Sequence, residues 1–183
     1  MKKIISRACQ LAYSLLIIFI FISASTVWGQ GEATEAGQIN KPKYDLPYAG
    51  VLPDHPLYFL KTVRDRVIDF LIADRLKKAE FTLVQADKRL VAAIALVDKG
   101  KPELAEQTMS KGQNYLFRSI GEGNKAKAEG KDVTAYTAKF RSALVKHEEV
   151  LRQLAGKTNG ATKDRFNSMA EKVAKQRQSS IIE

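Results

Sequence analysis

The chain has 183 residues, 45% of them hydrophobic, which suits one domain with appendages and excludes a wholly disordered polypeptide. Its single cysteine, Cys9, precedes the first apolar run, so a disulfide framework, a Cys-based metal site and a lipid attached after that run are all excluded. The formal net charge is +10, and beyond Gly29 there remain 27 bases against 20 acids; such a surface suits loose contact with anionic partners, or is simply solvated and rich in Lys.

The first thirty residues have the layout of an export signal. Lys2, Lys3 and Arg7 form a positive start, Leu11 to Ile22 is apolar apart from Tyr13 and Ser14, and small or polar residues follow. Val27 and Gly29 fit the small-residue rule of a signal-peptidase site, so cleavage after Gly29 is the first expectation. The competing reading is an uncleaved anchor: the 19 residues from Leu11 to Gly29 carry no charge, close to the ~20 a bilayer-spanning helix needs. Its orientation would leave the N-terminus in the cytoplasm. Either reading places the rest of the chain outside the cytoplasmic membrane. Residues 30–46 lack apolar periodicity over most of their length and read as a flexible tether ahead of a body spanning 47–183.

Four of the five prolines fall between Pro42 and Pro56, so the body is approached by a stiff, extended segment, with Tyr44, Tyr48 and Leu52 available to pack on it. Asp54 is the expected N-cap of a first helix, with Pro56 in its first turn. Leu57, Leu60, Val63, Val67, Phe70 and Leu71 give that helix an apolar face, while Lys61, Asp65 and Asp69 share the other side and read as a solvated, ion-paired surface. A second helix is expected from the N-cap Asp74 to Gly100. Its stripe from Leu76 through Leu83 and Leu90 to Val97, widened by Phe81 and Val91, marks it as central. Pro102 opens a third helix carrying Met109, Leu116 and Ile120, with Gly112 at a core position that implies close helix approach; Gly121 and Gly123 are expected to fray or kink its end.

Asp132 caps a fourth helix with Tyr136, Phe140, Leu144 and Leu151 on its face. After a turn from Gly156 to Gly160, a fifth helix from about Thr162 carries Phe166, Met169 and Val173. No segment of the body alternates with period two, so the expected class is all-α: a bundle of about five helices with antiparallel neighbours.

Several short stretches resemble a bacterial family of exported or membrane-anchored helical proteins, the domain of unknown function 5667 family. They are Leu52-Pro53-Asp54-His55-Pro56-Leu57-Tyr58-Phe59-Leu60-Lys61, Ala86-Asp87-Lys88-Arg89-Leu90, the Lys-Gly-Lys turn at 99–101, and Lys146-His147-Glu148-Glu149-Val150-Leu151. The resemblance covers roughly Leu46 to Lys175. It implies helical structure and export, and brings no activity with it.

Chemistry-bearing patterns are sparse. There is no nucleophile elbow, no Ser-x-x-Lys and no phosphate-binding Gly-Lys-Ser/Thr loop. Two histidines, His55 and His147, do not make a metal site, and no cofactor is expected. His147 reads as a half-buried histidine bonding across the bundle. Residues 157–178 hold six bases and two acids. The candidate interaction residues are therefore His55, Tyr58, His147, Arg165, Lys172 and Lys175. Three functions fit these grounds: a non-catalytic envelope module binding an unknown envelope protein, a binder of anionic wall polymer or lipid through the last helix, and a small enzyme or metal carrier centred on His147. Nucleic acid is not expected, since no aromatic residues interleave with the bases.

Overall fold

The computed structural model describes residues 44–179, and the segment expected to be a signal or anchor lies outside the described residues. The described residues form five helices and no strand: α1 (Tyr58–Leu71), α2 (Arg75–Asp98), α3 (Pro102–Ala128), α4 (Thr134–Gly156) and α5 (Gly160–Gln178). None of these helices is long and apolar enough to cross a membrane.

The helix ends follow from local chemistry. The Asp74 carboxylate accepts the Lys77 amide at 2.9 Å, the expected N-cap of α2. That helix closes on Gly100, whose φ of +71° only glycine adopts readily, with the Lys101 amide reaching back to the Leu96 carbonyl at 2.8 Å. Pro102 then begins α3.

Sequence neighbours are antiparallel. Arg75 meets Glu122 and Ser119 meets the Ala79 carbonyl, so α2 and α3 form one hairpin; α4 and α5 form a second, joined by Arg177 to Glu148. The hairpins stack with like helices parallel. Asp74 pairs with Lys131, Asp87 with His147 and Asp98 with Lys157, at separations of 57, 60 and 59 residues along α2 and α4. Between α3 and α5, Gln113 donates to the Met169 carbonyl and Arg165 pairs with Glu106. The core between them holds Leu83, Leu90, Met109, Leu116, Phe140, Leu144, Leu151 and Phe166, all buried.

The third helix does not fray at its glycines: it runs through Gly121 and Gly123 to Ala128. The reason is packing. A Cβ on Gly123 would lie 2.4 Å from Cε1 of Tyr136, so the glycine admits the Tyr136 ring rather than breaking the helix. Gly112 does mark a close approach, with Arg89 Cβ 3.0 Å from where its own Cβ would be.

The first helix departs most from expectation. None of its side chains joins the core cluster. Its only buried residue is Asp65, 6% exposed, whereas Phe70 is 84% and Leu71 71% exposed. The side with Lys61, Asp65 and Asp69 is the one facing the body, not a solvated surface. Lys61 donates to the carbonyls of Ala49 and Val51, and Asp69 receives both guanidinium nitrogens of Arg118 at 2.8 and 3.1 Å. Asp54 does not cap this helix either. Its carboxylate sits on the α2–α3 turn, taking Lys101 at 2.8 Å and Lys99 at 3.2 Å, and the helix starts at Tyr58 after a series of turns. Packing against the body begins inside the span assigned to the tether, because Tyr44 and Leu46 already lie on the core; Tyr48 points into solvent.

Candidate functional site

Two constellations are built from the stretches that carry the family resemblance. The first is buried. Tyr44 donates to Asp87 Oδ2 at 2.6 Å, and His147 Nε2 lies 2.8 Å from Asp87 Oδ1. A carboxylate only accepts, so the imidazole donates from Nε2. Burial and the Asp87 charge push the Tyr44 hydroxyl well above its ordinary pKa, so it stays protonated. His147 is fully buried rather than half-buried, and its Nδ1 has no hydrogen-bond partner. With Asp87 and His147 buried and Tyr44 half-buried over them, this Tyr–Asp–His set ties the approach segment to α2 and α4.

The second constellation is open. A cleft of about 630 Å³ lies between α1 and the α2–α3 hairpin. From the approach and α1 it receives Pro53, His55, Pro56, Tyr58, Phe59, Thr62 and Arg66; from α2, Arg89; and from α3, Lys111, Asn114 and Tyr115. Arg89 is held in place: Nη1 donates to the Gln85 carbonyl at 3.0 Å and to Gln85 Oε1 at 3.1 Å, and the guanidinium lies over the Tyr115 ring, 4.1 Å from its centroid. Tyr58 is half-buried beside it, and burial raises its pKa. His55 Nδ1 accepts the Leu57 amide at 3.1 Å, which fixes its ring at the cleft mouth.

The structure thus brings His55 and Tyr58 together and keeps the other candidates apart. His147 is in the core. Arg165 pairs with Glu106 at 3.0 Å on α5, where Lys172 and Lys175 are exposed. Arg66, Arg89, Lys111 and Tyr115 were not anticipated. The signals for Arg89 are its place in the family-like stretch Ala86 to Leu90 and its position beside Leu90 in the central stripe of α2, where a buried charge needs a reason. Among the described residues no group of three His, Cys, Asp or Glu could hold a metal ion.

The fold and this site together define an all-helical module with an open basic cleft and a buried polar core. The chain belongs to the family described as Domain of unknown function (DUF5667), whose model matches residues 50–161. The match takes in the opening motif, the cleft and the Asp87–His147 pair. No curated protein and no solved structure matches the chain significantly.

Proposed function

We propose that the chain works outside the cytoplasmic membrane as a non-catalytic helical module of the bacterial cell envelope, docking another envelope protein through α1. The observation that carries this reading is the inverted first helix. Phe59, Leu60, Val63, Val67, Phe70 and Leu71 are exposed on one helix, while its polar side is spent on Ala49, Val51 and Arg118. Monomeric proteins rarely leave a contiguous apolar patch of this kind uncovered, and such patches mark interaction sites. The basic, apolar and small-residue order of residues 1–29 supports export.

The second reading, binding of anionic wall polymer or lipid through α5, keeps some support. Lys163, Lys172 and Lys175 stand exposed without a carboxylate within ion-pair distance among the described residues, but Arg165 and Arg177 are taken by Glu106 and Glu148. In-cell crosslinking, with mass spectrometry of the N-terminus and of captured proteins, separates the two. One repeatable envelope protein, crosslinked at α1 peptides, is expected. Capture at α5 alone, or an intact unexported chain, would refute the α1 reading.

A further inference from the structure

Arg89 is out of place in a helix core. It is 8% exposed, yet among the described residues no carboxylate lies within 4 Å of its guanidinium, and its Nε has no hydrogen-bond partner. An arginine stays charged in any protein environment, and a buried charge is ordinarily paired. Here Gln85 and Tyr115 orient the group without neutralising it. Arg66 and Lys111 line the same cleft, and no Asp or Glu does. The buried acid of α1, Asp65, is taken by Arg64 at 2.8 Å. Three positive charges therefore line one open space, and the most buried of them, Arg89, is held by Gln85 and lies over the Tyr115 ring.

We propose that this cleft binds a small organic oxyanion, a phosphate or carboxylate group carried on a sugar or polyol body, with Arg89 as its anchor. Guanidinium favours such groups because its planar N–H fork matches two oxygens of one anion. Arg66 and Lys111, both exposed at the rim, close on the remaining oxygens. A volume of about 630 Å³ falls within the roughly 300–1,000 Å³ of ordinary small-molecule sites. That is far more than a bare anion fills, and Tyr58, Phe59 and Asn114 offer ring faces and an amide to a hydroxylated body. The site shares only Phe59 with the α1 apolar face and lies apart from the basic side of α5, and its three cations belong to neither, so its anion binding is tested independently of both.

The test is calorimetric titration of the purified exported chain with glycerol 3-phosphate, galacturonate, inorganic phosphate and, as neutral controls, glycerol and galactose. Saturable binding of at least one organic anion is expected, tighter than its neutral counterpart and than inorganic phosphate. The favoured anion separates a phosphate ester from a carboxylate. Arg66→Gln and Lys111→Gln, both at exposed positions that leave the fold intact, should each weaken binding by about tenfold, the loss of one charge-assisted contact. The double variant, which keeps Arg89, should weaken it by about a hundredfold, with an unchanged melting temperature. Lys172→Gln with Lys175→Gln should have no effect. No saturable binding of either organic anion, equal affinity for the neutral controls, or a double variant that binds as tightly as the parent would each overturn the proposal.

Discussion

Gly123 leaves room for the Tyr136 ring, whose hydroxyl donates to Ser119 as Ser119 donates to the Ala79 carbonyl, and burial pushes that phenol up to about 12. Gly123→Ala should cost about 1–3 kcal/mol by overpacking. Gly121→Ala, two residues earlier with nothing within 4 Å of the new Cβ, should be neutral or stabilising by up to about 1 kcal/mol; urea denaturation of the pair checks both. His147→Ala strips Asp87 of one of its two donors inside the core, and a loss of about 3 kcal/mol or more is expected from a buried carboxylate left half-paired. A cost under 1 kcal/mol in the same assay would mean water replaces the imidazole. Asp74 acts at the surface: the Lys131 ammonium, with the Lys77 amide, holds its carboxyl down to about 2. Its contribution is complete above the ordinary carboxylate value near 3.8 and fades as the pH falls toward 2. Asp74→Asn keeps the cap but not the charge, so it should flatten the acid limb of stability against pH between those values. The Asp74 cap and the close approach at Gly112 were legible in the sequence, whereas the cap expected of Asp54 is not formed. The use of Gly123 was not, since a glycine near a helix end reads alike whether it breaks the helix or admits a ring.

At the scale of elements, α1 is the exception among five. The apolar period located it correctly, because period identifies a helix and its face. Which face turns inward is settled by what the neighbouring surface offers, and here that surface offers Arg118 and the Ala49 and Val51 carbonyls to polar partners. The four other helices bury their apolar stripes, α2 almost all round, as its wide stripe implied. Attachment of α1 thus rests on partly exposed polar links, each worth about 0–1 kcal/mol. Val63→Ser and Val67→Ser should change the stability of the isolated protein by less than about 0.5 kcal/mol, whereas Leu83→Ala should cost about 2–5 kcal/mol. Amide exchange should likewise be faster in α1 than in α2 or α3, since fewer buried contacts oppose its opening. Protection of α1 equal to that of α2 would contradict this arrangement.

At the scale of the molecule, two hairpins stack with α2 along α4 and α3 along α5, and the approach and opening motif are strapped across the first hairpin by Tyr44 on Asp87 and by Asp54 on Lys99 and Lys101. The all-helical class and the antiparallel neighbours could be read from periodicity and short turns. The stacking could not, because its register rests on isolated pairs such as Asp87 with His147, 60 residues apart. The same limit hid the cleft, whose cations come from three separate helices. What the whole chain offers a partner is the uncovered side of α1, and a thiol-protection measurement tests that most directly. In a Cys9→Ser background the chain has no other cysteine, so Phe70→Cys and Lys172→Cys each carry one exposed thiol. Both should react readily with a membrane-impermeant maleimide in the purified protein. In cells with an intact cytoplasmic membrane and a permeabilised outer envelope, Lys172→Cys should still react while Phe70→Cys is protected. Equal labelling of the two in those cells would contradict a partner on α1, and labelling of neither would contradict export.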